Sequence, residues 1–219
     1  MDIQKKEITD FGSQLLENEE SGQSILCLSV IGEIEGHEEL SGQSKTTKYE
    51  HLLPLLVRAQ EDRTIDGLFL LINTVGGDCS CGLALAEMIA SVTKPVASLI
   101  IGDSHSIGVP VSVAADRTFI APTATMIIHP VRLNGTVIGA PQTFEYFRLI
   151  QDRILDFISG HSGADKEKLE AMMMKKGIMA RDIGTILVGK EAVDAGLADE
   201  VGGMDSALLW LHQQCKKKK

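Results

Sequence analysis

Two uninterrupted apolar runs constrain this chain most: "GLFLLIN" (67–73) and "PVASLI" (95–100). Each has the length of a strand, and neither alternates polar with apolar residues. A strand of that kind is buried on both faces, which fits a parallel sheet covered by crossover helices. The segment between the runs supplies such a crossover: a turn, "TVGGD", then "CGLALAEMIASV" (81–92), which predicts a helix. The alternation continues with a helix of small residues over "SIGVPVSVAAD" (106–116) and strands over "RTFIAP" (117–122) and "TMIIHP" (125–130). Upstream, "SILCLSVIGEI" (24–34) predicts a strand. In "TTKYEHLLPLLVRAQED" (46–62), Tyr49, Leu52, Leu53, Leu56 and Val57 recur at helical spacing, and Pro54 predicts a kink or a break. The expected class is α/β, a mostly parallel sheet flanked by helices with right-handed crossovers.

Beyond residue 130 the pattern changes. "VRLNGTVIGAPQ" (131–142) reads as a loose hairpin, and "TFEYFRLIQDRILDFISGHSG" (143–163) as the longest amphipathic helix. Its stripe of Phe147, Ile150, Ile154, Phe157 and Ile158 lies past the sheet and calls for a partner, naturally another copy of the chain. "ADKEKLEAMMMKKG" (164–177) predicts a helix capped by Asp165, "KEAVDAGLADEV" (190–201) a short helix and a last strand, and "DSALLWLHQQC" (205–215) a terminal helix. The polar, acidic residues 1–22 read as a flexible arm, 23–215 as one domain, and "KKKK" (216–219) as a solvated basic tail. Attraction of that tail to an anionic membrane surface is the second reading.

The 219 residues, 44% hydrophobic, suffice for one sizeable core. A net charge of −9, with only two Tyr and one Trp, argues against a nucleic-acid-binding surface. Cys27, Cys79, Cys81 and Cys215 lack the spacing of a zinc site and read as reduced thiols. No apolar leader and no run of about 18 apolar residues is present, so a cytoplasmic location is expected. No phosphate loop of the G-x-x-x-x-G-K-[ST] type occurs, and no cofactor or metal is expected.

In an open α/β sheet, ligands bind outside the carboxyl ends of the strands. Three stretches meet there: "NTVGGD" (73–78), "GDSHSIG" (102–108) and His129. Gly76 and Gly77 form either a plain strand-to-helix turn or half of an anion-binding hole. Ser106, in the first turn of the next helix, is either an N-cap or a nucleophile. Ser104 lacks that position, and His105 should point away from Ser106 because neighbours on a strand alternate. His129 alone would be a core residue; paired with Ser106 it becomes a general base. With the backbone N–H of Ile107 as a further donor, the set meets the requirements of acyl transfer.

These residues resemble a known family. "INTVGGDCSCGLALAEMI" is similar to the "INSPGG…AG" turn and helix of ClpP, the proteolytic subunit of Clp proteases. "IGDSHSIG" resembles its "GQAASMG" nucleophile turn, "APTATMIIHP" its "LPNSRVMIHQP", and "KEAVDAGLADEV" its "PEAVEYGLVD". Variation in the nucleophile turn and a longer stretch before "KEAV" look more like the translocation-enhancing (TepA) subgroup. The resemblance implies the ClpP/crotonase-like fold with a protruding handle over 131–163, and a serine peptidase working inside a homo-oligomeric chamber. Ring or double-ring assembly, heptameric by resemblance, and an AAA+ unfoldase partner are likewise implied. Ser106 falls on the nucleophile, His129 on the base, and Gly76, Gly77 and Ile107 on the oxyanion hole. Peptide or unfolded protein would bind as an added strand beside Gly77.

Three departures stand out. Val75 replaces a proline, and Ser104 and His105 replace alanines. The place of the family's triad acid begins with Gly184, which leaves Asp182 as the nearest candidate and Glu170 and Asp194 behind it. A catalytically weak or inactive assembly or secretion factor on the same scaffold is the main alternative. A crotonase-like acyl-CoA enzyme would share the paired-glycine turn but leave Ser106 and His129 without a role.

Overall fold

In the computed structural model, which describes residues 12–18, 22–37, 40–132, 138–176 and 183–217, the two apolar runs become neighbouring central strands. The strands are β1 (Ser13–Asn18), β2 (Gln23–Glu35), β3 (Thr46–Lys48), β4 (Gly67–Gly77), β5 (Val96–His105), β6 (Arg117–Ile120), β7 (Thr125–Ile128), β8 (Thr185–Val188) and β9 (Glu200–Val201). The helices are α1 (Tyr49–Glu61), α2 (Cys79–Ala90), α3 (Gly108–Val113), α4 (Ala140–His161), α5 (Lys166–Met173), α6 (Lys190–Asp194) and α7 (Met204–Lys217). The main path of the sheet is β1-β2-β4-β5-β6-β9, with β3 beside β2 and β7 joining β5 to β8. All pairs are parallel except β1 with β2 and β7 with β8. The α/β class and the mostly parallel sheet therefore stand as expected.

β5 changes partner along its length. Ala97–Ile100 pair with β6, whereas Asp103–His105 pair with β7. The upper end of β5 is thereby brought beside the end of β7, where His129 follows.

Two cores sandwich the sheet. The larger lies under α1–α5; Leu70, Ile72 and Ile100 of the central strands contribute to it. The smaller is covered by α7, whose Ala207, Leu211 and Cys215 pack on Ile25, Phe69, Ala97, Leu99 and Phe119. Phe119 and Trp210 meet edge to face, their ring centroids 6.5 Å apart.

Several local expectations change. Within the 1–22 stretch read as an arm, Ser13–Asn18 form β1, paired to β2 from Ser13↔Leu28 to Asn18↔Gln23. Leu15 and Leu16 pack on opposite faces against the two cores, which the surrounding acidic residues disguise. α1 runs through Pro54 without ending there. Pro54 lies on the exposed side, where water can satisfy the carbonyl that loses its amide partner. The hairpin expected over 131–142 falls partly on residues 133–137, outside the described residues, and Pro141 sits in the first turn of α4 rather than in a loop. Of the stripe on α4, Ile154, Phe157 and Ile158 are buried within this chain and Phe147 and Ile150 are half-buried, while Phe144, Tyr146 and Leu149, off the stripe, are exposed. Lys216 and Lys217 belong to α7 and so extend that helix into the expected tail. β8 was not foreseen in "GTILVG".

Candidate active site

Ser106 lies between the end of β5 and the start of α3, in a turn whose φ of 56° makes it the only non-glycine residue with positive φ among the described residues. Such a conformation costs about 1–3 kcal/mol and persists only where the surroundings hold it. Three contacts do so here. The Ser106 amide donates to the Ile127 carbonyl at 2.8 Å, and the Val109 amide donates to the Ser106 carbonyl at 3.0 Å. The end of β4 also packs closely. A Cβ on Gly76, itself at φ +92°, would stand 2.7 Å from the His105 carbonyl oxygen and 2.8 Å from Ser106 Cβ. Glycine at 76 is thus required by both conformation and space. The helix cap falls on Ile107 and no side chain caps it, so Ser106 is not the N-cap serine that the sequence left open.

Ser104 points into the core. It is fully buried, and its hydroxyl is 2.7 Å from that of Ser112 on α3. It adds no second hydroxyl to the cleft; it ties strand to helix beneath the turn. His105, next along the strand, bonds Thr125 of β7 instead.

His129 follows β7 directly. Its Nδ1 is 2.7 Å from the Pro130 carbonyl oxygen. A carbonyl only accepts, so in the neutral ring Nδ1 carries the proton and Nε2 keeps the lone pair. That is the tautomer a general base needs. β8 pairs antiparallel with β7, Thr185 opposite Ile128, which brings Gly184 against the histidine. A Cβ at 184 would lie 2.5 Å from the Ile128 carbonyl oxygen and 3.0 Å from His129 Cβ, with φ at +142°. Asp182 lies outside the described residues. Glu170 is exposed on α5, and Asp194 is exposed and pairs with Lys190 along α6; neither lines the cleft.

Ser106, Ile107, Gly77 and His129 all line one cleft of about 330 Å³. Its apolar wall comes from Ile128, Ile154, Ile158 and Met173, and Glu33 and Arg132 are also at its edge. The walls from α4 and α5 were not foreseen as part of the site, although the helical spacing of Ile154 and Ile158 marked an inward face. Gly76 does not line the cleft but abuts the Ser106 turn from behind. The arrangement brings together a hydroxyl, an imidazole in the basic tautomer, and amides at Gly77 and Ile107. These are the parts required for acyl transfer to a hydroxyl. A wider crevice, about 390 Å³, lies at the C-terminal ends of α3, α4 and α6 and contains neither Ser106 nor His129.

A strand-to-helix serine turn facing a strand-end histidine, on a forked parallel sheet with a projecting helix, defines a ClpP-type α/β protein. The family model for Clp protease matches residues 31–205, and the chain belongs to that family. It is 52% identical over 194 residues to the translocation-enhancing protein TepA of Halalkalibacterium halodurans, covering 89% of this chain and 76% of that one. It is 27% identical over 154 residues to the ATP-dependent Clp protease proteolytic subunit of Streptococcus pneumoniae, covering 67% and 74%. Among solved structures, a ClpP1 mutant from Listeria monocytogenes superposes with a TM-score of 0.65 at 20% identity, covering 83% of this chain and 94% of that one. That likeness concerns the fold.

Proposed function

We propose that this protein is a serine peptidase that cleaves peptides or unfolded proteins through an acyl-enzyme on Ser106. The observation that carries the reading is the shared cleft: Ser106, His129, Gly77 and Ile107 line the same space. Ser106 Oγ attacks the scissile carbonyl while His129 Nε2 takes its proton. The amides of Gly77 and Ile107 receive the developing oxyanion, and His129 then returns the proton to the leaving amine. Water hydrolyses the acyl-enzyme by the same steps in reverse order of partners. Gly76 supports the oxyanion turn from behind. Asp182, two residues before Gly184 in the sequence, is the acid assigned to support His129. The substrate backbone lies as an added strand along the end of β4 beside Gly77. The exposed first half of α4 supports assembly into a ring or double ring, heptameric by analogy with ClpP, that encloses the cleft. An AAA+ unfoldase is the partner that such a chamber would take. The relative named for enhancing translocation supports a role linked to protein export, in a cytoplasmic and membrane-associated setting.

A fluorophosphonate probe tests the reading. Wild-type protein is expected to be labelled on Ser106, and Ser106→Ala and His129→Ala to abolish labelling. Asp182→Asn is expected to slow it by on the order of 10⁴, the cost of losing the acid in a serine triad. One observation favours a second reading: the place of the family's triad acid falls on Gly184, where there is no space for a side chain. On that reading the protein is an inactive assembly or secretion factor, and the probe labels nothing while the oligomer remains intact.

A further inference from the structure

His105 precedes the strained serine, and its side chain is held against β7. Its Nε2 is 2.7 Å from Thr125 Oγ1 and 3.2 Å from Asp103 Oδ1. Thr125 Oγ1 donates to Asp103 Oδ1 at 2.9 Å, so its remaining lone pairs accept from the imidazole, and Nε2 carries a proton. The strand register sets up this chain of bonds by placing Asp103 beside Thr125 and His105 beside Ile127. The Ile127 carbonyl is the one that accepts the Ser106 amide. β5 is therefore bound to β7 by the side chain of residue 105 and, one step later, by the backbone of residue 106. On the inner face, Ser104 is bound to Ser112. The ClpP-type turn quoted above carries alanines at both positions, which can make neither bond.

We infer that His105 is a positioning residue for Ser106: its anchor to Thr125 and Asp103 fixes the peptide between residues 105 and 106, and with it the direction in which Ser106 Oγ enters the cleft. The inference rests on the reading of Ser106 as nucleophile. Burial holds the imidazole below its ordinary range, Asp103 acts to raise it, and His129 acts to lower it. From β7 the ring meets Thr125, and its strand neighbour there is Ile127; neither ionises in this range. The charges that reach the ring are those of Asp103 on its own strand and His129 at the end of β7. The ring is thus neutral at neutral pH and donates from Nε2. Once protonated in acid, it places a positive charge near His129 and makes the imidazolium needed for catalysis harder to form.

The test is the rate of Ser106 acylation by a fluorophosphonate across pH 5–8.5 in full-length protein, with peptide KM measured in parallel. His105→Ala and Thr125→Val are expected to slow acylation by about tenfold, the effect of losing one anchoring hydrogen bond, with KM unchanged. His105→Gln keeps a donor and is expected to stay within about twofold of wild type at pH 8, while its acid limb falls from two ionisations to one. Wild-type rates in His105→Ala and Thr125→Val, or an unchanged acid limb in His105→Gln, would overturn the inference. If wild-type Ser106 does not react at any pH, the peptidase reading fails, and crystal structures of wild type and His105→Ala decide the anchor. Relaxation of Ser106 out of positive φ in the variant upholds it; an unchanged turn overturns it.

Discussion

Gly184 lies against His129 across the β7–β8 pair, with no space for a side chain at 184. An acid at this position would meet the backbone of Ile128 before it reached the imidazole. Whatever charge supports His129 must come from elsewhere, and for that reason Asp182 carries the proposal. Gly184→Ala would place its Cβ 2.5 Å from a backbone oxygen, at a φ that L-residues resist. We expect the variant to shift His129, to lower the melting temperature and to reduce Ser106 labelling by on the order of tenfold. Labelling at the wild-type rate would mean that the β7–β8 contact does not set the base.

The two halves of α4 should respond oppositely to mutation. Phe144 is 62% exposed, whereas Ile158 is 1% exposed beside the cleft. Phe144→Asp is expected to leave the melting temperature of the protomer nearly unchanged and to reduce the mass seen by native mass spectrometry. Ile158→Ala is expected to cost about 2–5 kcal/mol of stability in chemical denaturation, through loss of packing and the cavity it leaves. An assembly that withstands Phe144→Asp would remove the exposed half of α4 from the interface.

Burial pushes the thiols of Cys27 and Cys81 up to about 11. At pH 8 about one molecule in a thousand then carries the thiolate at either position, and the thiolate is the reacting species. Alkylation by iodoacetamide, followed by mass spectrometry, should leave both largely unmodified in the native protein and modify them once it is unfolded. Rapid native modification of Cys81 would show that α2 opens at its first turn.

Stability should fall on mild acidification. His105 takes up its proton at a lower pH when folded than when unfolded, where its value is near 6.5. Below 6.5 the unfolded chain therefore binds more protons at this residue, and stability decreases as pH falls through the folded value. Thermal melts of wild type and His105→Gln between pH 7.5 and 5 should diverge, with the variant less sensitive to acid. Parallel curves would place the acid sensitivity at other groups.

Much of this was legible in the sequence because it rests on strong local signals. The runs around Leu70 and Leu99 read as buried strands, and the paired Gly76 and Gly77 marked a bend with a special backbone. The cap of α5 was readable from Asp165, whose carboxylate accepts from the Glu167 and Lys168 amides. What escaped depended on distant partners. β8 is four residues long and has meaning only as the strand that lays Gly184 on His129. β1 is defined by its register on β2, not by its own polar composition. The inward face of α4 was seen as a stripe, but nothing in the spacing told that Ile154 and Ile158 would wall the cleft while Phe144 stayed outside. The tautomer of His129 depends on the Pro130 carbonyl, a backbone group that no residue pattern reports.

Because β5 changes partner above Ile100, the hydroxyl and the imidazole hang from one short seam of three residue pairs, Asp103↔Thr125 to His105↔Ile127. Prising β7 outward there would draw His129 away and release the Ser106 amide in the same movement, and it would also lift Met126 and Ile128 out of the larger core. The geometry of the centre is therefore only as secure as the packing of β7 on its neighbours.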